Sequence, residues 1–236
     1  MMYRTIRFVD RVTDYILLLL FLLLFLIGGY TMYDTVLIYD AAGGDDLSTF
    51  KPFVNERGEY VWDMSSITDD MVAWLTVDDT TIDYPVMQGL DNTEYLNKNA
   101  YGEYSLAGSL FLDARNASDF SDPYSLIYGH HMQYGKMFGA LDEFMDQEYF
   151  DAHRTGTLIT TSGKAYHIRF FACVEADASV REIFAPTETD GTLEYVKRHA
   201  DTYYEPEGEH LIALSTCKFP QTSERIIVFG VLKDEE

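Results

Sequence analysis

The spacing of apolar and polar positions divides the chain into two regimes. From Tyr15 to Tyr33 no charged residue occurs, and Ile16 to Ile27 is an unbroken run of Leu, Phe and Ile. At about 1.5 Å per residue, a helix over 15–33 approaches the ~30 Å hydrocarbon thickness of a bilayer. Beyond Tyr60 the pattern changes to short apolar runs bounded by Gly, Pro, Asn and Asp, which is strand length and strand punctuation. It predicts strands at Leu75–Val77, Thr81–Gln88, Gly108–Asp113, Ser125–Tyr128, Thr157–Thr161 and Ala165–Glu175. Two helices are expected among them. Ser66–Trp74 has Ser65 or Ser66 as a helix cap and acids in its first turn. Glu188–Tyr204 places Leu193, Val196, Ala200 and Tyr203/Tyr204 on one face. Many short strands with few helices predict a mainly β domain, a barrel or sandwich decorated by helices.

The flanks of the apolar run give it a direction. Arg4, Arg7 and Arg11 precede it and Asp34 follows it, so the N-terminus is expected in the cytoplasm. A cleaved secretory signal is the rival reading. The apolar core is long for one, and no small-x-small cleavage pattern follows it directly. The expected organisation is a cytoplasmic N-terminus at 1–14, a single transmembrane anchor at 15–33, a juxtamembrane linker at 34–58 and an extracellular domain at 59–236. The linker contains the helix-breaking stretch Ala41-Ala-Gly-Gly-Asp-Asp46.

Charge removes one class of partner. A net charge of −22 and a pI near 4.4 argue against nucleic acid. Aromatic residues make up 15% of the chain, which favours a packed core over disorder. Neither metal-ligand spacing nor a Gly-rich phosphate loop is present, so no metal and no cofactor is expected.

Chemistry concentrates in the last strands. The segment Leu211–Leu232, LIALSTCKFPQTSERIIVFGVL, reads as two apolar strands joined by a loop containing Pro220. If the runs pair as a hairpin, Cys217 leaves one strand where Arg225 enters the next. A free Cys has a pKa near 8.5, and a fixed cation favours its thiolate. At ~4 Å and an effective dielectric of ~20 that attraction is about 4 kcal/mol. The guanidinium could equally donate to an oxyanion forming on a substrate carbonyl. A buried structural Cys beside a surface ion pair fits these two residues as well. The other cysteine, Cys173, lies inside a strand-like run and suits a small buried hydrophobe, although a Cys173–Cys217 disulfide is open to an extracellular domain.

A thiolate needs a proton partner, and six histidines are available. His199 falls on the expected helix, His167 within a strand and His153 in a polar turn. His210 begins the Cys217 strand but lies seven residues from the Cys, more than ~20 Å along an extended chain. Tyr128-Gly129-His130-His131-Met132 remains, directly after a strand, where scaffolds display catalytic groups. A turn-capping role for one of these histidines is the simpler alternative.

Taken together, YGHHM with the following GKMFGAL, then LSTC, then Arg225 opening the next strand resemble the sortases. The stretches WLTVDDTTIDYPVMQG, DNTEYLN and AGSLFLDARN, with the helix-bearing insert before LSTC, resemble class B in particular. The resemblance runs from about Val61 to Leu232. It implies an eight-stranded sortase-type β-barrel with N-terminal helices and a helix-containing insert, in a membrane-anchored cysteine transpeptidase of a Gram-positive surface. Such enzymes cleave a C-terminal sorting signal of a secreted protein, hold the acyl group as a thioester, and pass it to an amine from a peptidoglycan precursor or a pilin lysine.

Carried over by motif, Cys217 is the nucleophile, His130 the general acid/base and Arg225 the oxyanion-stabilising or substrate-positioning cation. His131 fills a variable position. Ser215 and Thr216 resemble positions that line the substrate groove or orient the Cys, though a strand role suits them as well. The insert Glu175–Tyr204 is expected to wall the groove, with its tip at Ala178–Pro186 near the signal peptide. Asp113 matches a family pattern without an assigned role. If the Cys217 and His130 pKa values are near neutral or crossed, the pair predicts a bell-shaped dependence of rate on pH. Two alternatives stay open: a cysteine peptidase that only hydrolyses such signals, and a catalytically silent surface scaffold. The sorting motif (NPxTx-like or LPxTG-like) and the choice between wall anchoring and pilus assembly are not written in these residues.

Overall fold

The computed structural model describes residues 2–42, 45–187, 191–217 and 222–234, with the backbone alone described at 2, 4, 5, 41, 45, 46 and 217. The chain divides into two compact units, Met1–Asp40 and Ala41–Glu236. The first is one helix, α1 (Met2–Ala41). Within it Ile6–Asp40 is long and apolar enough to cross a membrane, and its large side chains from Ile16 to Ile27 are all exposed. By length and composition this helix is compatible with a membrane anchor.

The second unit opens with a 3-10 turn at Asp45–Phe50 and a small hairpin, β1 (Phe53–Val54) and β2 (Tyr60–Val61). Ala42 and Phe50 are buried in its cores, so part of the stretch read as linker packs on the domain. The main sheet follows: β3 (Met71–Val77), β4 (Asp83–Met87), β5 (Leu110–Leu112) and β6 (Tyr124–Tyr128). After the short helix α2 (Gln147–Ala152) come β7 (Thr155–Thr160) and β8 (Ala165–Asp177). An insert carries α3 (Arg181–Phe184), α4 (Thr192–His199) and β9 (Ala200–Tyr203), before β10 (Leu211–Cys217) and β11 (Glu224–Asp234).

The strand order is β11-β10-β6-β5-β4-β3-β7-β8, and β8 pairs again with β11, which closes an eight-stranded barrel. Closure removes the open edges that would otherwise invite pairing with other chains. β9 extends β8 on the insert side. β3, β5 and β6 are buried along nearly their whole length, whereas β7 and the first half of β8 alternate between buried and more exposed positions. On β10, Ile212 and Leu214 fill the barrel core while Leu211 and Ala213 join a second cluster with Ile183 and Val196 of the insert.

Two expected helices are corrected. Ser66–Trp74 is turn followed by strand: Asp63 Oδ1 accepts from the Ser65 N–H at 3.0 Å, and the strand pairs with β4 from Met71 and with β7 from Ala73. Glu188–Tyr204 is helical only over Thr192–His199, then turns into β9; residues 188–190 lie outside the described set. The remaining expected strands are present, with ends differing by a few residues.

Candidate active site

The final hairpin forms as its apolar runs require, with Cys217 directly opposite Arg225 in the ladder. Of the loop expected at Lys218–Glu224, residues 218–221, Pro220 among them, lie outside the described residues. β6 runs parallel to β10 with Tyr128 abreast of Ser215, and the Gly129 N–H donates to the Ser215 carbonyl at 3.1 Å. Carrying that register forward two positions sets His130 abreast of Cys217. The C-terminal ends of two parallel strands and the start of the antiparallel β11 therefore meet at one rim of the barrel. The final hairpin and the sequence-distant end of β6 thus bring the backbone positions of Cys217, Arg225 and His130 to that rim.

His130 is half-buried, and its Nε2 lies 2.7 Å from the Leu96 carbonyl oxygen. Its own carbonyl accepts from the Phe138 N–H at 3.0 Å, so the loop 131–139 folds back under it. Gly139 makes that return possible: a Cβ there would sit 1.9 Å from the Met132 carbonyl oxygen. His131 faces a different partner, with Nε2 2.6 Å from Asp142 Oδ2. The two adjacent histidines are thus separated by structure as well as by motif.

Arg225 is half-buried and donates through Nη1 to the carbonyls of Thr222 at 2.8 Å and Glu224 at 3.2 Å. Across β8 its ladder partner is Ala176. Next to it, Asp177 holds the rim in shape. Its carboxylate accepts from the Ser179 and Ser223 hydroxyls, which bring its pKa down to about 2, and the Ala178 N–H donates to the Ser223 carbonyl at 2.8 Å. Ser215 and Thr216 are each 1% exposed, and their hydroxyls lack a hydrogen-bond partner among the described residues. They sit in the wall of the barrel beneath the rim.

Asp113, which sequence left without a role, is a fully buried carboxylate. It accepts from Arg115 Nε at 2.8 Å and Nη2 at 2.6 Å, the Arg115 N–H at 3.0 Å, Asn92 Nδ2 at 2.8 Å and the Tyr128 hydroxyl at 3.1 Å. Burial pushes its pKa up, and the Arg115 and Asn92 donors outweigh that and leave it below the usual carboxylate value. Arg115 Nη2 also donates to the Phe184 carbonyl at 2.8 Å, tying the network to the insert. Tyr128 immediately precedes Gly129-His130, so this cluster braces the strand end that displays the candidate acid/base. Asn92, Arg115 and Tyr128 all lie in the quoted segments DNTEYLN, DARN and YGHHM, but nothing in their spacing announces a shared carboxylate.

Cys173 is fully buried on β8, opposite Val228, and is not in a disulfide. Burial raises its thiol pKa far above the ordinary value, which makes it a packing residue. Among the described residues no three His, Cys, Asp or Glu side chains are placed to hold a metal ion. Strand ends that bring a Cys, a His and an Arg position to one rim fit acyl transfer through a covalent intermediate.

The comparisons with known proteins agree with this architecture. The family model described as Sortase domain matches residues 75–233. Sortase B of Listeria monocytogenes is 35% identical over 180 residues, covering 72% of each chain. The crystal structure of a Streptococcus pyogenes class B sortase involved in pilus biogenesis is 41% identical and superposes with a TM-score of 0.67 over 72% of this chain and 96% of that one. Sortase B from the Type II pilus of Streptococcus pneumoniae is 33% identical, with a TM-score of 0.59 over 70% of this chain and 94% of that one. The chain belongs to the sortase family. Within that family it is a class B sortase, a cysteine transpeptidase.

Proposed function

We propose that this sortase is held at the cell surface by α1, N-terminus inside and catalytic domain outside, and cleaves a C-terminal sorting signal of secreted proteins. The observation that carries the site assignment is the register of β6, β10 and β11, which brings His130, Cys217 and Arg225 to one rim. In the first half-reaction the imidazole of His130 takes the Cys217 thiol proton, and the thiolate adds to the scissile carbonyl. Arg225 faces the oxyanion or holds the signal peptide. The imidazolium then protonates the departing amine as the peptide C–N bond breaks, leaving a Cys217 thioester. In the second half the acceptor amine adds to that thioester, gives a proton to His130, and expels the thiolate. Two covalent steps through one residue imply ping-pong kinetics. With both hydroxyls buried, Ser215 and Thr216 act on substrate chiefly through their backbone and by holding Cys217 in the ladder.

The acceptor is a peptidoglycan-precursor amine or a pilin lysine. Pilin lysine gains support from relatives of known setting: the pilus-biogenesis enzyme of S. pyogenes and the pilus sortase of S. pneumoniae are both well covered by this chain. The test uses the full chain in detergent with fluorogenic peptides carrying LPxTG-like and NPxTx-like signals, with and without an amine acceptor. Loss of cleavage in Cys217→Ala and His130→Ala, its retention in His131→Ala, and a ligated product when amine is present are the expected results. Cleavage by Cys217→Ala would overturn the assignment. Cleavage without ligation to any amine would favour a purely hydrolytic peptidase.

A further inference from the structure

A cysteine or serine nucleophile usually works with a histidine whose far nitrogen is held by a third group, commonly a carboxylate. Among the described residues His130 has no carboxylate at hydrogen-bond distance. Its Nε2 lies instead 2.7 Å from the main-chain oxygen of Leu96. A carbonyl oxygen can only accept, so Nε2 must carry the hydrogen, and Nδ1 is the nitrogen left to exchange a proton.

The turn that carries the Leu96 carbonyl is held at several points. It ends the 3-10 turn Glu94–Leu96, whose central Tyr95 is 1% exposed. The Tyr95 hydroxyl donates to Asp70 Oδ2 at 2.6 Å, at the threshold of β3. Lys98 Nζ reaches Glu94 Oε1 at 2.8 Å and lies over the Tyr95 ring, 4.9 Å from its centroid. The Tyr95 carbonyl accepts from the Ser109 N–H at 3.1 Å. Burial and the Asp70 carboxylate both raise the Tyr95 pKa, so its hydroxyl remains a donor throughout the working pH range.

Gly108 closes the arrangement. Its φ is +61°, and a Cβ there would lie 2.7 Å from the Leu96 oxygen, 2.7 Å from the Tyr95 oxygen and 3.0 Å from His130 Cδ2. Turn, loop and imidazole can approach this closely only around a residue without a side chain.

We propose that the Leu96 carbonyl is the orienting acceptor of His130, and that Gly108 and the Tyr95–Asp70 pair are positioning residues that hold it. It takes the place that a carboxylate has in a protease triad, fixing the Nε2–H tautomer and leaving Nδ1 for proton exchange with Cys217. The inference rests on His130 being the general acid/base.

The experiment uses the full chain in detergent and the peptide cleaved above. Gly108→Ala and Tyr95→Phe are compared with Gly102→Ala, a control that imposes similar strain at φ +84° in the same loop but whose Cβ would meet only the end of the Lys98 chain. Misaligned catalytic groups cost up to about 100-fold. The expected result is a fall in kcat of at least about tenfold for Gly108→Ala and a smaller fall for Tyr95→Phe, with KM held within about threefold and Gly102→Ala unchanged. A second readout needs no substrate. Nitrogen NMR of histidine-labelled wild type, with His130 assigned through His130→Gln, should find neutral His130 protonated at Nε2, and Gly108→Ala should mix the tautomers. A wild-type proton on Nδ1 overturns the inference even if Gly108→Ala fails to fold, and so does wild-type kcat in a folded Gly108→Ala. Activity in His130→Ala would instead overturn the underlying assignment, which separates the two failures.

Discussion

Asp113→Asn isolates the buried anion beneath the rim at almost constant volume. The carboxylate is wholly buried and accepts five hydrogen bonds, three of them from Arg115. Substitution by an amide turns one acceptor into a donor facing donors. Breaking a buried ion pair by removing one partner costs roughly 3–5 kcal/mol. The abandoned Arg115 is 45% exposed and regains water, so the lower end applies, about 3 kcal/mol. A domain of this size loses about 2–4 °C in Tm per kcal/mol, so melting should fall by about 6–12 °C at pH 7.

The pH dependence has a fixed sign. The folded pKa of Asp113 lies below its unfolded value, so its stabilisation is complete above the unfolded pKa of about 3.9 and is lost as pH falls through the folded one. The gap between wild type and Asp113→Asn must therefore be constant near neutrality and narrow below about pH 4. Calorimetry of the full chain in detergent over pH 3–8 reads both. A Tm within about 1 °C of wild type at pH 7, or a gap that widens in acid, would refute the account. Arg115→Ala makes the opposite defect, an unpaired buried anion, and its penalty should relax as acid neutralises Asp113.

Three further outcomes follow from the same geometry. A thiol reagent should titrate one cysteine in the native chain and two after denaturation, because Cys173 is fully buried and its thiol pKa is raised; two fast thiols in the native state would contradict that burial. His131→Ala removes a partly exposed pair with Asp142, worth about 0–1 kcal/mol, so it should melt within a few degrees of wild type and keep its cleavage rate. Gly139→Ala sets a Cβ against the Met132 backbone oxygen and should cost at least about 1–3 kcal/mol while slowing turnover, because the same loop supports His130; unaltered melting and kcat would show that the loop gives way freely.

How much of this was legible depends on what each residue does with its side chain. The final hairpin and most strands could be read because apolar runs leave marks in the sequence, and the register then sets the positions of Cys217, His130 and Arg225 at one rim. The helix expected at Ser66–Trp74 failed for a reason internal to the code. An Asp-Met-Ser-Ser stretch caps a helix and closes an Asx turn with the same hydrogen bonds, and Met71–Val77 is too short for its period to arbitrate. At Ala200–Tyr203 the helical spacing was real, but the ladder with β8 outbid it: Tyr204 N–H donates to Phe171 O at 2.7 Å.

The parts around His130 escaped for a different reason. Asp113 was visible only as a residue with a pattern, because its meaning is shared among Asn92, Arg115 and Tyr128, which meet only once β5 and β6 are laid side by side. Leu96 leaves no mark, because the group that touches His130 is a main-chain oxygen that any residue would supply. What a sequence can record about such a contact is the geometry that permits it, and here that record is one glycine. Gly108 is therefore the position where a substitution remote from Cys217, neutral in charge and small in volume, should act on the proposed acid/base His130 and not on the binding of the peptide. Evidence for a backbone orienting group is best sought at the glycine that makes room for it, since the carbonyl itself cannot be removed by exchanging Leu96 for any other L-residue.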